Sequence, residues 1–158
     1  MPADSYCIDT NVVMDLGRVY PRDVFPGVWE SIETLVVEGR AVIPREVLDE
    51  LERHDPDAYE WAKGLDDFVV EPDDHEIAIV AEIAENHPDW VQGRKNAADP
   101  FVVANASGHG RIVVTHERRR GPGVLDHNLG IPNVADEYDL ECISLQELAR
   151  REQWQFKR

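Results

Sequence analysis

The chain has 158 residues, a formal net charge of −16 at pH 7 and a sequence pI of about 4.6. This length is typical of one domain with its own core, so we expect a single domain over residues 1–158. No stretch approaches the ~20 apolar residues that a membrane span needs, and the chain does not begin with a basic segment followed by an apolar run. We therefore expect a cytoplasmic protein without a membrane partner. The two cysteines lack clustered histidine partners, which excludes a zinc site.

The acidity of the chain argues against a nucleic-acid partner at first sight, because phosphate binding favours basic surfaces. Bound cations can nevertheless neutralise clustered carboxylates and attract phosphate. Local basic patches can also bind phosphate within an acidic protein. The sequence offers six cationic side chains for such patches: Arg94, Lys95, Arg111, Arg118, Arg119 and Arg120.

Strand-like and helix-like segments alternate along the chain, which predicts an α/β architecture with a central, mostly parallel sheet. The first segments are a short buried strand, "SYCID", and an amphipathic helix, "GVWESIETLVVEG", with Gly39 at its end. A second strand, "RAVIP", leads into the helix "PREVLDELER", which Pro44 opens. Two further helices are "DAYEWAKGL" and "DHEIAIVAEIAENH". The predicted apolar stripe of the latter consists of Ile77, Val80, Ala81 and Ala84.

The second half of the chain continues the same alternation. "AADPFVVANASG" reads as a buried helix with Pro100 in its first turn and Gly108 at its end. "RIVVTHE" and "LECISL" read as strands. "SLQELARREQWQ" reads as a helix with Ser144 as N-cap and Glu147 completing a capping box. The longest irregular stretch, "HERRRGPGVLDHNLGIPNVADEYD", follows the end of a strand, where α/β proteins tend to place functional loops.

Acidic residues recur where the predicted strands end and the helices begin. Asp9 follows the first strand, Glu117 follows "RIVVT", and Asp99 stands at the start of a helix. Glu46 and Glu50 lie on the helix after the second strand. In a parallel sheet, strand C-termini and the following helix N-termini share one edge, so we expect these carboxylates to converge. Clustered carboxylates repel one another, and a hard divalent cation relieves that repulsion. Such a site suits hydrolysis of a phosphodiester.

Four segments resemble the motifs of PIN-domain proteins, in the same order, over roughly residues 5 to 117. "YCIDTNVVMDL" resembles the opening motif, and "IPREVLDEL" resembles the second, in which a Glu precedes Leu on a helix. "NAADPFVVANA" is similar to the third motif, and "IVVTHE" to the fourth, a strand ending in Thr-x-acid. The tail "IPNVADEYDLECISLQELAR" fits the final strand and helix. Its Ile-Pro-x-Val pattern resembles a PIN-like family of unassigned function.

This resemblance implies a three-layer α/β/α fold and a Mg²⁺- or Mn²⁺-dependent endoribonuclease. Many small PIN proteins are toxins of prokaryotic toxin–antitoxin pairs, so the expected partners are an RNA substrate and an antitoxin protein, with a homodimer also open. Asp9 and Asp99 are expected to bind the metal directly. Glu50 is expected to complete the ligands or orient water, and Glu117 to bind through water or a second ion. Most PIN domains carry Asp where this chain has Glu117.

Several neighbouring residues have an expected supporting role. Thr10, Asn11 and Thr115 are expected to hydrogen-bond the ligands, although each could be a simple turn residue. The run Arg118, Arg119 and Arg120 could contact RNA phosphate or merely be solvated. The two histidines near these segments, at positions 109 and 116, are expected to be surface or satisfied side chains.

The acids themselves have simpler alternatives. Asp9 and Asp99 could merely cap helices. Glu50 and Glu117 could be solvated charges. Glu46 is the alternative ligand to Glu50, but the helix dipole already favours an acid in the first turn. Glu50 lies one turn deeper, beside an apolar residue, where an acid needs a partner.

Other functional classes are weaker. A haloacid-dehalogenase-type phosphatase needs a second Asp where this chain has Asn11. A dinucleotide-binding motif fails because "GHGRIV" lacks the third glycine and precedes its strand. The remaining alternative is an inactive PIN-like scaffold that binds protein or RNA. A degenerate scaffold should have lost one or two ligands, whereas all four positions are acidic here.

Overall fold

The computed structural model describes residues 3–157, which contain one five-stranded sheet. The strands are β1 (Tyr6–Ile8), β2 (Ala41–Pro44), β3 (Val69–Val70), β4 (Ile112–Val114) and β5 (Cys142–Ile143). The helices are α1 (Thr10–Val19), α2 (Pro26–Val37), α3 (Arg45–His54), α4 (Pro56–Lys63), α5 (Asp74–Asn86), α6 (Asp99–His109), α7 (Ile131–Asp136) and α8 (Leu145–Arg151). A short 3-10 helix spans Asp126–Asn128.

All the strand pairs of this sheet are parallel, and their order is β3-β2-β1-β4-β5. β1 is central: Cys7 pairs with Val42 on one side and with Val113 on the other. The three residues of β1 are at most 1% exposed. Because successive side chains of a strand point to opposite faces, the sheet must be covered on both faces. The predicted three-layer α/β/α fold with a parallel sheet is therefore confirmed.

The predicted apolar stripe of α5 is wrong. Ile77 is 51% exposed, and the buried face of this helix consists of Glu76, Ile79 and Ile83. The helix carries apolar residues on several sides, so hydrophobic periodicity alone does not identify its buried face. This orientation of the helix buries Glu76. The Glu76 side chain accepts a hydrogen bond from Asn105 and takes part in the capping box at the helix start.

The long irregular stretch after β4 contains structure that the sequence did not indicate. The second half of this stretch contains α7, which has a proline in its first turn. Earlier in the chain, the sequence also did not indicate β3, a strand of two residues. α6 ends one residue beyond the predicted Gly108, and Gly110 caps it in the left-handed conformation at φ 64°. The capping box of Ser144 and Glu147 at the start of α8 is confirmed.

The state of the cysteines and the length of the helices complete the description of the fold. Cys7 and Cys142 carry free thiols, and burial raises the pKa of Cys7 well above its usual range. Among the helices of residues 3–157, none is both long and apolar enough to cross a membrane.

Candidate metal centre

Asp9 stands between β1 and α1, at the C-terminal edge of the central strand. It is the N-cap of α1, and its Oδ1 accepts a hydrogen bond from the Thr10 N–H at 2.8 Å. Its Oδ2 accepts one from the Thr115 hydroxyl, also at 2.8 Å. The residue is 2% exposed. The capping role is therefore present, but it occupies only one of the two carboxylate oxygens.

Glu117 reaches the same edge from the segment that follows β4. Its N–H donates to Oγ1 of Thr115 at 3.0 Å, so Thr115 links it to Asp9. Its Oε1 accepts a hydrogen bond from the N–H of Ile131, the first residue of α7, at 3.0 Å. Glu117 is therefore held through its backbone N–H at the end of β4 and through its side chain at the start of α7.

Asp99 is the first residue of α6, and Ala98 is the N-cap. The alternative that Asp99 merely caps this helix is wrong, because no side-chain capping bond is present. Asp99 is 6% exposed, and within residues 3–157 its carboxylate accepts no hydrogen bond. A buried carboxylate without donors is costly unless it is protonated or bound to a cation.

The three carboxylates meet in one cluster, which we call the acid cluster: Asp9, Asp99 and Glu117 each offer one oxygen, and these atoms lie within 4.8 Å of one another. Burial, then the charge of Glu117, raises the pKa of Asp9 to about 8. Burial and the neighbouring carboxylates raise the pKa of Asp99, and burial raises that of Glu117. The cluster thus resists carrying its full negative charge without a compensating cation.

Glu50, on α3, lines the same cavity of about 260 Å³ as the acid cluster. Its Oε1 accepts a hydrogen bond from the Ala98 N–H at 3.2 Å, which ties α3 to the start of α6. Glu46, one turn earlier, is not among the residues that line this cavity. Its Oε1 is buried without a hydrogen-bond partner in the described chain, and burial raises its pKa. Glu46 and Glu50 share a face of α3, and their positions along the helix therefore bring Glu50, and not Glu46, to the acids.

Thr10 and Asn11 also line the cavity. Asn11 Oδ1 accepts the N–H of His116 at 3.1 Å, which joins α1 to the segment after β4. Thr10 is 7% exposed, and its Oγ1 is buried without a partner among residues 3–157. An unpaired hydroxyl beside several carboxylates is an all-oxygen donor set, which suits a hard divalent cation. The residues present therefore fit Mg²⁺ or Mn²⁺.

The three arginines at positions 118–120 differ in their contacts. Two hydrogen bonds of 2.6 and 2.7 Å bind the Arg119 guanidinium to Asp136, so Arg119 is already neutralised. The Arg118 and Arg120 side chains make no hydrogen bond or ion pair to another described residue, and Arg120 lies near enough to lower the pKa of Glu117. Of the run, only Arg118 and Arg120 stay available for phosphate.

Sequence reasoning missed some residues near the centre. Met14, Arg18 and Asn96 line the cavity. Asn96 has φ 59°, and its side chain donates to the Trp90 carbonyl at 2.8 Å. Asn is one of the few residues that readily adopt this left-handed conformation, so an Asn three residues before a helix-start Asp was an available signal.

A second group of side chains could also hold a metal ion: Asp73, Glu76 and His109. Its contacts have a structural explanation. Asp73 and Glu76 form the capping box of α5, and His109 Nε2 lies 3.2 Å from Asp73 and 3.3 Å from Glu76. His116 is similarly engaged, with Nδ1 2.6 Å from Asp15 and Nε2 accepting the Leu145 N–H at 3.3 Å.

Comparison with known proteins gives a family and a fold. The model of the family "Domain of unknown function (DUF4411)" matches residues 6–156. No curated protein matches the chain. The solved structures of FitAcB from Neisseria gonorrhoeae and of FitAB bound to an IR36 DNA fragment are each 16% identical, with TM-scores of 0.53 and 0.54. They cover 89% and 97% of this chain and 98% of their own.

VapBC-1 from nontypeable Haemophilus influenzae is also similar, at 15% identity and a TM-score of 0.52, over 89% of this chain and 98% of its own. At these identities the likeness establishes the fold, and it agrees with a PIN-like α/β/α architecture. The family match covers nearly the whole chain, and the chain belongs to the DUF4411 family.

Proposed function

We propose that this protein is a Mg²⁺- or Mn²⁺-dependent endoribonuclease and the toxin of a prokaryotic toxin–antitoxin pair. The observation that carries the enzyme proposal is the acid cluster, in which oxygens of the buried Asp9 and Asp99 and of the half-buried Glu117 lie within 4.8 Å of one another. A fold gains nothing in stability from the mutual repulsion of two buried carboxylates and a half-buried one, so their convergence favours a cation site.

The role that we propose for each residue of the acid cluster follows from its contacts. Asp9 and Asp99 would hold the ion directly, because they are the most buried members of the cluster. Glu117 would bind it directly or through water, since one of its oxygens already accepts the Ile131 N–H. When bound, the ion polarises the scissile phosphoryl group, activates water and stabilises the leaving oxygen.

The surrounding side chains position these ligands. The Thr115 hydroxyl donates to Oδ2 of Asp9, the oxygen that takes no part in capping α1. This bond lowers the pKa of Asp9 and so favours the ionised form that binds a metal. Glu50 lines the cavity from α3 and would complete the ligands of the ion or orient the attacking water. Arg120, close to Glu117, would bind a phosphate group of the strand being cut.

The toxin proposal rests on the resemblance of the four sequence motifs to PIN domains, supported by the fold. The resemblance also implies an antitoxin partner, and one of the similar structures, FitAB, is described as bound to a DNA fragment. By analogy, we propose an antitoxin protein that covers the acid cluster. A single domain over residues 1–158, a cytoplasmic location and a homodimer remain predictions.

The decisive experiment measures RNA cleavage by the purified full chain in Mg²⁺, in Mn²⁺ and in EDTA, with single-stranded DNA as the comparison substrate. Asp9→Asn and Asp99→Asn keep the side-chain shape but remove a charge, so cleavage should fall by orders of magnitude while the fold persists. Asp89→Asn, at an exposed position, is the matched control and should retain activity. Full activity of both site variants would refute the metal-nuclease proposal, and an inactive wild-type protein that still binds RNA would favour the scaffold alternative.

A further inference from the structure

Two larger cavities adjoin the acid cluster, and both reach it through Glu117. One, of about 590 Å³, is bordered by the segments around β5 and α1. The other, of about 480 Å³, is bordered by the loop before α6 and the irregular stretch before α7, and we call it the loop cavity. Because Asn96 and Glu117 line both the loop cavity and the cavity of the acid cluster, a ligand could extend continuously from one to the other.

The charges of the two cavities differ. The cavity beside β5 exposes Asp15 and Glu147 in addition to Glu117, and of its two arginines Arg119 is already bound to an aspartate. The loop cavity has Glu117 as its only carboxylate, set against Lys95 and Arg120. A phosphate group adjoining the acid cluster would therefore be repelled on the β5 side and attracted on the loop side.

Lys95 and Arg120 also differ from the ion-paired arginines of this acidic chain. Six of the twelve arginines in residues 3–157 are held in ion pairs, for example Arg45 with Asp49 and Arg151 with Glu141. Neither Lys95 nor Arg120 makes a side-chain hydrogen bond or ion pair within that range. Lys95 and Arg120 line the same cavity, so the two cations can act together on an anionic ligand from outside.

The walls of the loop cavity are fastened to the core. Trp90 is 0% exposed; its Nε1 donates to the Leu129 carbonyl at 3.0 Å, and its own carbonyl accepts from Asn96 at 2.8 Å. The Asn133 side chain holds the backbone of Arg120 through two bonds of 2.9 and 3.0 Å. The backbone at Arg120 and Leu129 and the side chain of Asn96 are thus held in position before any ligand binds, which lowers the entropic cost of ordering these walls.

The remaining lining residues suit a nucleobase. Val124 and Leu129 provide an apolar surface, and Asn128 and His127 provide donors and acceptors beside it. Nucleobases unstacked from single strands bind between apolar or aromatic surfaces while amide side chains hydrogen-bond their edges.

We propose that the loop cavity binds one nucleotide of the RNA strand next to the scissile phosphate. Lys95 and Arg120 bind its phosphate, and the base lies against Val124 and Leu129 with its edge toward Asn128. This subsite rests on the proposed nuclease function, and it is the part of the protein that would distinguish one base from another.

The test measures ligand binding instead of cleavage, so that it is independent of the metal centre. In EDTA, the intact chain is titrated with the four nucleoside 5′-monophosphates, with adenosine and with inorganic phosphate, while amide resonances are followed by NMR. Lys95→Met and Arg120→Met remove the two charges. Arg53→Met and Arg150→Met are the matched controls, because these arginines are exposed and have no ion-pair partner within residues 3–157.

We expect at least one monophosphate to bind more tightly than adenosine or phosphate alone, with shifts confined to residues 95–96, 117–120 and 124–129. Each of Lys95→Met and Arg120→Met should weaken the binding of that monophosphate about tenfold, as expected for one charge-assisted phosphate contact. The controls should change it little, and Mn²⁺ binding by the acid cluster should persist in all four variants. Equal losses in the controls, or no monophosphate binding at residues 95–96, 117–120 and 124–129, would overturn the subsite. Loss of cleavage in Asp9→Asn would still support the nuclease.

Discussion

The hydroxyl group of Thr115 lies 2.8 Å from Oδ2 of Asp9, and the two residues stand at the ends of neighbouring parallel strands. The same hydroxyl accepts the N–H of Glu117 at 3.0 Å. One side chain of the β4 edge therefore aligns two of the three members of the acid cluster.

Thr115→Val tests this alignment, because valine has the same shape but no hydroxyl. The loss leaves one oxygen of Asp9 without its donor and raises the pKa of Asp9 further. Loss of such an outer contact typically costs 10–100-fold in metal affinity, so we expect Mn²⁺ binding by calorimetry to weaken by about 10–100-fold. Thr34→Val removes an exposed helix hydroxyl bonded to the Glu30 carbonyl and is the control. Identical Mn²⁺ affinity in both variants would contradict the positioning role.

The pH dependence of stability gives a second prediction for the metal-free protein. The folded-state pKa of Asp9 is raised to about 8, whereas an aspartate in the unfolded chain titrates near ~3.9. Between these values the folded state binds more protons than the unfolded state, so the free energy of unfolding falls as pH rises. In EDTA, the melting temperature should therefore be lower at pH 8.5 than at pH 5.5.

His87 contributes in the same direction over part of this range, because its carboxylate partners raise its pKa against the opposing effect of burial. The Asp9→Asn/Asp99→Asn double variant keeps that contribution, so only the difference from the wild type reports on the acid cluster. Millimolar Mn²⁺ should restore the melting temperature of the wild type at pH 8.5 and leave the double variant unchanged. A double variant with the same pH slope as the wild type would show that the cluster is not the cause.

Gly130→Ala gives a third prediction, at the entrance to α7. A Cβ atom at this position would lie 2.5 Å from the carbonyl oxygen of Arg118, a backbone atom that cannot move freely. Overpacking of this kind typically costs about 1–3 kcal/mol, and we expect urea unfolding to show that loss. The clash also displaces the Ile131 N–H that holds Glu117, so Mn²⁺ affinity should fall as well. Gly121→Ala, in open space on the same stretch, should change neither quantity.

The sequence predicted the meeting of Asp9 and Glu117 although 107 residues separate them, because parallel strands place their C-terminal ends at one edge. It could not predict that Ile131 binds Glu117 or that Asp136 neutralises Arg119, since both contacts depend on the path of a stretch without hydrophobic periodicity. The choice between Glu46 and Glu50, in contrast, could be predicted from the sequence. Helix geometry is regular, and the order of the residues along α3 decides which of the two reaches the cavity.

The last prediction compares the two acids on α3, which are four residues apart and thus share a face of the helix. Glu50 lines the cavity and its Oε1 accepts the Ala98 N–H, an interaction that a glutamine oxygen can retain. Glu50→Gln should therefore leave the fold intact while it weakens Mn²⁺ binding and RNA cleavage by about tenfold or more, as loss of a charged ligand would. Glu46→Gln should leave both unchanged. It should also stabilise the protein slightly at neutral pH, because it removes a charge whose Oε1 is buried without a partner in the described chain. The reverse ranking in a Mn²⁺ titration would assign the ligand to Glu46 and refute the role proposed for Glu50.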